Sequence, residues 1–211
     1  CPRLRTLELL QGEIMKILIV GANGLLGSGA VAALSKDNEI IQASRSGEVS
    51  VDLTDPASIA AMYAKVGKVD AVISATGKVP FKTLSELTLA DYQSGIDDKV
   101  LGQVELVRQG LEYVNDGGSF TLTTGILERA AIPTGVVASL SNGALESFVM
   151  AAAIEMPRGM RINVVSPSVL VEAPGYHSYF VGFDQVTLKA CGKAYAKSVN
   201  GKKNGHVYKV G

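Results

Sequence analysis

The chain has 211 residues, a length that suits a single domain with a substantial buried core. Its 20 basic residues balance 20 acidic ones and form no basic cluster, which argues against a nucleic-acid-binding or membrane-surface protein. Two cysteines and two histidines are too few for a disulfide framework or a histidine-rich metal site, so we expect no metal and a cytoplasmic location.

The first strong strand pattern begins directly after Met15. We therefore expect Met15 to be the native start, residues 1–14 to be an appended or upstream-translated extension, and residues 15–211 to form the domain. The uncharged stretch 17–35 superficially resembles a membrane segment, but its glycines and Asn23 favour a buried strand, turn and helix.

Strand and helix patterns alternate along the chain. Apolar runs predict strands at 16–20, 39–44, 49–53, 70–76, 118–124, 161–166 and 205–210. Helices are predicted at 25–35, 55–66, 89–113, 183–199 and from the stretch 133–148 onward to residue 156. The second of these has Asp55 as its N-cap and Pro56 at its first position. Repeated strand–helix units predict one doubly wound α/β domain, in which helices flank a parallel sheet of about seven strands.

A glycine-rich turn, VGANGLLG, joins the first strand to the first helix. Gly21 permits the tight turn, Gly24 lets backbone amides approach a pyrophosphate, and Gly27 allows the helix to pack closely on the sheet. The turn therefore predicts a dinucleotide site, although the glycines could serve only the tight crossover. The predicted cofactor residues of this segment are Gly21, Asn23, Gly24, Leu25, Leu26 and Gly27.

The end of the second strand bears on which dinucleotide binds. Sites that prefer NAD place an acidic residue there to bind the ribose hydroxyls, whereas this chain has Ser44 and Arg45. An arginine can neutralise a 2′-phosphate, so NADP(H) is favoured over NAD. The alternative is that Arg45 is a solvated surface charge and Glu48 binds the ribose.

These motifs resemble those of the short-chain dehydrogenase/reductase family, and the resemblance covers residues 15–211. VDLTD resembles the family segment whose aspartate borders the adenine, and SATG stands in the place of the NNAG turn beside the cofactor. RINVVSPSVL resembles the segment whose backbone holds the nicotinamide amide, with Ser168 where glycine is usual and Glu172 where threonine is usual. The resemblance implies a Rossmann fold and these further cofactor residues: Asp52, Leu53, Ala75, Thr76, Gly77, Pro167 and Val169.

The same resemblance shows that the usual catalytic residues are missing. In the family a tyrosine donates a proton, a lysine lowers its pKa and binds the ribose, a serine orients the carbonyl, and an asparagine completes a proton path. The corresponding positions here are Ala138, Asn142, Thr124 (or Gly125) and Lys99. This implies an atypical branch without the Tyr/Lys pair, in which Lys99 and Thr124 are the catalytic candidates and Asn142 contacts the cofactor. Lys99 could instead be a solvated charge on the long helix.

A loop after the sixth predicted strand offers other protic groups. EAPGYHSYF, residues 172–180, stands where the family has its substrate loop and contains Tyr176, His177 and Tyr179. It could equally be an ordinary surface loop or a subunit contact.

Two functions are consistent with this pattern. The first is an NADP(H)-dependent oxidoreductase that acts on a small carbonyl substrate. The second is a catalytically inactive NADP(H)-binding sensor or scaffold protein. Helices 89–113 and 138–156 resemble those that pair subunits in the family, so a homodimer or homotetramer is expected.

Overall fold

The structure is a computed structural model and describes residues 14–211. All but the last residue of the predicted extension 1–14 therefore lies outside the described residues. Within that range seven strands form one sheet, and every pairing in it is parallel. The strands are β1 (Lys16–Val20), β2 (Glu39–Ser44), β3 (Val49–Ser50), β4 (Val69–Ser74), β5 (Val114–Thr123), β6 (Arg161–Pro167) and β7 (Val207–Val210).

The strand order is β3-β2-β1-β4-β5-β6-β7, which confirms the predicted doubly wound topology. The chain moves outward from β1 through β2 to β3, then crosses back to β4 on the other side of β1. The carboxyl ends of β1 and β4 therefore lie at a topological switch point, where such folds bind ligands.

The flanking helices fall where the sequence predicts them, with one interruption. They are α1 (Leu25–Leu34), α2 (Pro56–Val66), α3 (Leu89–Gly95), α4 (Gly102–Gly110), α5 (Val136–Glu155) and α6 (Leu188–Asn200). The single helix predicted at 89–113 is wrong, because a π-helix at Ile96–Leu101 separates α3 from α4. The amide of Gly102 donates to the carbonyl of Asp97, five residues earlier, and this widens the helix around Lys99.

Several predicted boundaries also move, and local turn geometry explains why. The third strand stops at Ser50 because Asp52 starts a turn, in which its carboxylate accepts the Thr54 amide. Helix α5 begins only at Val136, since Thr134 has a φ of 64°. The last helix begins at Leu188 rather than 183, because the Thr187 side chain caps it by accepting the Ala190 amide.

Both faces of the sheet are covered by apolar cores. On β1, Leu18 and Val20 belong to the core on one face, while Ile17 and Ile19 belong to the core on the other. Of the helices within residues 14–211, only α5 is long and apolar enough to span a membrane. Its side chains Val137, Leu145 and Val149 are fully buried against this domain, so one face of α5 packs into the core.

Candidate active site

Two adjoining cavities open at the carboxyl edge of the sheet. The β2 cavity, about 420 Å³, lies beside the glycine turn and the end of β2. The β5 cavity, about 580 Å³, lies beside the ends of β5 and β6. Ala75, Gly77 and Lys78 line both, so the two cavities together form one continuous cleft across the switch point.

The glycine turn shapes the floor of the β2 cavity. Gly21 has a φ of 82°, and a Cβ there would lie 2.5 Å from the Ala75 carbonyl oxygen. A Cβ on Gly27 would lie 2.1 Å from the Gly21 carbonyl oxygen. Gly27 lines neither cavity and instead packs beneath the turn, as its predicted packing role requires.

The first turn of α1 lies where the cavities meet. Gly24 lines the β2 cavity, whereas Leu25 and Leu26 line the β5 cavity. Gly24 is the N-cap and offers no side-chain oxygen to the first amides of the helix. These amides and the positive end of the helix dipole suit an anionic group.

The end of β2 is tied to the glycine turn. Asn23 Nδ2 donates to the Ser44 hydroxyl over 3.0 Å, and that hydroxyl donates to the Ser46 carbonyl over 2.8 Å. Arg45 is exposed and lines the β2 cavity. Glu48, the alternative ribose ligand, does not line the β2 cavity; it lines a third cavity together with Asn23 and Ser44.

The remaining predicted adenine-side residues also border the β2 cavity. Asp52, Leu53 and Thr76 are all in its wall. The Thr54 amide and hydroxyl donate to the Asp52 carboxylate and hold its pKa below the ordinary value, with a smaller contribution from the charge of Arg45. Sequence reasoning missed Lys78 and Asp98, which line the cavity and are joined by a 2.6 Å hydrogen bond from the Lys78 amide to the carboxylate.

The four positions that correspond to the family's catalytic residues meet in the wall of the β5 cavity. They are Lys99, Thr124, Ala138 and Asn142. Gly125, the alternative to Thr124, lines it too. The fold therefore brings together residues from the π-helix, the end of β5 and α5, although only threonine keeps the usual type of side chain.

Lys99 is buried, with 8 % of its surface exposed, and is not a solvated charge. Its aliphatic stem crosses Gly77, which has a φ of 117° and where a Cβ would lie 2.7 Å from Lys99 Cγ. Burial lowers the pKa of Lys99 to about 8, and the nearby charge of Asp98 opposes this only in part. A fraction of the side chain is therefore neutral near physiological pH.

Gln103, which the sequence reasoning missed, fastens the π-helix to β5. Its side-chain amide donates to the carbonyls of Lys99 and Thr123, both at 3.0 Å, and its carbonyl accepts the Thr123 amide at 3.0 Å. Gln103 is fully buried, so these hydrogen bonds fix the backbone that carries Lys99 relative to Thr124.

Thr124 contacts a second carboxylate that the sequence reasoning missed. Its hydroxyl donates to Glu146 Oε1 over 3.0 Å. Burial raises the pKa of Glu146 above its ordinary value, the Thr124 hydrogen bond opposes this, and the charge of Glu128 adds to it. Helical spacing was the available signal, because Ala138, Asn142 and Glu146 follow one another at intervals of four residues.

Asn142 brings an unused hydrogen-bond acceptor to the wall of the β5 cavity. Its Nδ2 donates to the Gly125 carbonyl over 3.1 Å. Its Oδ1 is buried and has no hydrogen-bond partner among the residues that the structure describes. A buried acceptor without a partner is unfavourable, so a ligand that donates a hydrogen bond here would satisfy it.

The segment after β6 contributes less than the sequence suggests. Pro167, Ser168 and Val169 line the β5 cavity, but Glu172 does not; its carboxylate accepts the Leu188 amide at the start of α6. Among the three protic candidates only Tyr176 lines the cavity, near Phe81 at a ring-centroid distance of 6.3 Å. The imidazole of His177 is turned to the Leu170 carbonyl, and Tyr179 lies outside the cavity wall.

The chain is similar to known proteins in sequence and in fold. A family model described as enoyl-(acyl carrier protein) reductase matches residues 10–200. The crystal structure of the protein lin1944 from Listeria innocua is similar at 48% identity and a TM-score of 0.92, covering 93% of this chain and all of its own. A small-chain dehydrogenase in complex with NADPH has the same fold, at 22% identity and a TM-score of 0.84, over 94% of this chain and 97% of its own.

Relatives known by sequence are oxidoreductases as well. An uncharacterized oxidoreductase of Methylorubrum extorquens is 25% identical over 187 residues, which cover 77% of this chain and 75% of the relative. The chain spans half or less of the length of further reductases that it matches. With the family match over most of its length and this fold, the chain belongs to the short-chain dehydrogenase/reductase family of oxidoreductases.

Proposed function

We propose that the protein binds NADP(H) along the cleft and reduces the carbonyl group of a small, largely apolar substrate. The observation that carries this is the meeting of Lys99, Thr124 and Asn142 in one cavity wall, next to the first turn of α1. The NADPH bound by a protein of the same fold supports the choice of cofactor. NAD is the less favoured alternative.

The residues of the cleft fit a dinucleotide. A side chain at Gly21 would collide with the Ala75 backbone, and one at Gly27 with the Gly21 backbone. This tight turn therefore requires glycine at both positions, and the dinucleotide would lie on the turn. The α1 amides would hold the pyrophosphate, Ser44 and Arg45 the 2′-phosphate, and Asp52 and Leu53 the adenine side. At the other end Asn142 Oδ1 would accept from a ribose hydroxyl, and Pro167 and Val169 would flank the nicotinamide.

In this function NADPH supplies the hydride, and the chain's own residues hold and protonate the carbonyl. The Thr124 hydroxyl orients the carbonyl oxygen. Lys99 lines the same cavity and donates a hydrogen bond from its ammonium to the oxygen as negative charge develops there. Its lowered pKa makes that donation easier than from an ordinary lysine.

The rest of the β5 cavity indicates the class of substrate. Its wall is mainly apolar and includes Val79, Phe81, Leu127, Tyr176 and Phe180. Apolar walls with a few polar groups at one end suit an aliphatic or aromatic aldehyde, ketone or quinone whose carbonyl points to Lys99 and Thr124.

One observation favours the second candidate, a catalytically inactive NADP(H)-binding sensor or scaffold. Ala138, at the tyrosine position, packs into an apolar cluster with Leu127 and Ile132, so no aromatic acid is present there. A sensor would bind the same cofactor and use the cavity for recognition rather than turnover.

An oligomer fits the unpartnered side of α5, where Leu140, Met150 and Ile154 are exposed. A homodimer or homotetramer would cover these side chains. Sedimentation of the wild type against Ile154→Glu would test this, since a buried charge at the contact disfavours assembly.

Calorimetry with NADPH and NADH, followed by NADPH oxidation over a panel of aldehydes, ketones and quinones, tests the proposed function. Tighter NADPH binding and oxidation with at least one carbonyl class is the expected result. Binding without any oxidation would favour the sensor or scaffold, and absence of NADPH binding would contradict both.

A further inference from the structure

We propose, on the basis of the carbonyl reduction inferred above, that Glu146 supplies protons to the substrate through the hydroxyl of Thr124. Glu146 is then a positioning residue that acts through Thr124 and takes over part of what the absent tyrosine does. The relay uses a residue outside the four corresponding family positions, and it runs from the surface to the cavity in a single hydrogen bond.

The geometry of the two side chains carries this inference. Thr124 follows β5 directly and lines the β5 cavity, with 4 % of its surface exposed. Its hydroxyl lies 3.0 Å from Glu146 Oε1. Glu146 is half-buried and does not line the cavity, so it exchanges protons with water on one side and reaches the substrate only through Thr124 on the other.

The protonation state of Glu146 decides where the Thr124 proton points. When Glu146 is a carboxylate, the hydroxyl donates to it and has no proton left for the cavity. When Glu146 is protonated, the carboxylic acid donates to Thr124 Oγ1, and the hydroxyl proton is free to point at a carbonyl oxygen. The Thr124 hydroxyl is thus a hydrogen-bond donor toward the substrate when Glu146 is protonated and an acceptor when Glu146 is a carboxylate.

The step balances without another reactant. The carbonyl carbon gains the hydride that NADPH supplies, and the C=O π electrons become a lone pair on oxygen. That oxygen takes the Thr124 proton, and Thr124 Oγ1 takes the proton of Glu146. Glu146 is left as a carboxylate and regains a proton from water. In the reverse direction the carboxylate accepts the proton instead.

The groups around Glu146 act on its pKa in both directions, and the net effect raises it. Burial is the largest influence and raises its pKa, and Glu128 in the turn after β5 raises it further. The Thr124 hydrogen bond, Arg129 beside Glu128, and Lys209 on β7 lower it. Arg129 also pairs with Glu128 itself at 2.8 Å, which reduces the repulsion between the two carboxylates.

The deciding experiment compares pH profiles of kcat for the wild type, Glu146→Gln and the control Glu155→Gln. Glu155 is an exposed residue at the end of the same helix. Since reduction needs the protonated acid, the wild-type rate should fall as pH rises through the Glu146 pKa, and the reverse oxidation should rise. Glu146→Gln should no longer show this fall of the rate with pH. Its kcat should be at least about tenfold lower than that of the wild type, because a positioned acid contributes ~10²–10⁴-fold. Glu155→Gln should keep both.

A second measurement does not depend on turnover. In wild type labelled at the glutamate carboxyl carbons, NMR should show one resonance, absent in Glu146→Gln, that titrates above the other glutamates. Thr124→Val should move that titration higher, because it removes a hydrogen bond to the carboxylate, and Thr124→Ser should restore it. Melting temperature and NADPH affinity show whether each variant is folded.

The outcomes separate the relay from the proposed function. If the wild type oxidises NADPH with a carbonyl but Glu146→Gln keeps the wild-type pH profile, the relay is wrong and carbonyl reduction stands. If the Glu146 resonance does not respond to Thr124→Val, the coupling is wrong. If none of the carbonyl compounds supports NADPH oxidation by the wild type, the proposed function itself fails.

Discussion

The β2 side and the β5 side of the cleft lie on one sheet edge, yet they differ in how closely they follow the family pattern. The β2 side keeps the glycine turn, the capless start of α1 and Asp52. On the β5 side the resemblance implies asparagine at position 99 and lysine at position 142, whereas the chain has Lys99 and Asn142. Lysine and asparagine therefore both line the same cavity, but each stands at the position where the family has the other. The β2 side depends on backbone geometry, whereas the β5 side depends on which side chains occupy its positions.

Lys99→Met should have the largest effect, because it removes the ammonium from the β5 side and leaves the β2 side intact. We expect kcat to fall by ~10²–10⁴-fold with little change in NADPH affinity. Steady-state kinetics and calorimetry measure both. Lys36→Met, at an exposed lysine outside both cavities, is the control. Equal activity of the two variants would remove Lys99 from the site.

The same substitution should change how stability depends on pH. Folded Lys99 loses its proton near pH 8 and the unfolded lysine near 10.5, so the unfolded state binds more protons between these values. The contribution of Lys99 to the free energy of unfolding therefore rises with pH, by about 3 kcal/mol at most. The difference between wild type and Lys99→Met isolates it from Cys191, whose raised pKa acts in the opposite direction. Parallel curves from denaturant unfolding would contradict the buried cation.

Gly27→Ala tests the β2 side through its backbone. The new methyl group would lie 2.1 Å from the Gly21 carbonyl oxygen. Because that oxygen belongs to the backbone, relieving the clash would distort the glycine turn. We expect a loss of about 1–3 kcal/mol in the free energy of unfolding and weaker NADPH binding. Gly143→Ala is the matched control, because it is also a helical glycine but has no atom within 4 Å of the new Cβ. It should be neutral or stabilising by up to about 1 kcal/mol.

Arg45→Ala should have the smallest effect and sharpen the cofactor assignment. Loss of a charged partner should weaken NADPH binding by about 10- to 100-fold and leave NADH binding within about twofold. Arg108→Ala removes an arginine that pairs with Glu105 on α4 and lines neither cavity, and it serves as the control. A wild type without preference for NADPH would refute the role of Arg45.

The parts of the fold that the sequence predicts well are those set by local patterns. Continuous apolar runs locate the parallel strands, and the glycine turn locates the switch point. The π-helix at Ile96–Leu101 was not predictable, because its apolar spacing does not differ enough from that of an α-helix. What holds it is the buried Gln103 amide, whose partner Thr123 is distant in sequence.

The site divides in the same way. The β2 residues follow from one motif and its spacing, whereas the β5 site depends on long-range pairing. Glu146 contacts Thr124 across 22 positions, and the burial of Lys99 depends on its packing against Gly77. The sequence locates these residues, but only the folded chain shows their exposure and partners.

The most direct test of carbonyl reduction is the transfer of deuterium from NADPH labelled at C4. Wild type, Lys99→Met and Thr124→Val would be mixed with the labelled cofactor and the carbonyl panel, and the products analysed by mass spectrometry. We expect deuterium on the former carbonyl carbon with the wild type and at least about a hundredfold slower labelling with Lys99→Met. Tight NADPH binding with no deuterium in any product would contradict it.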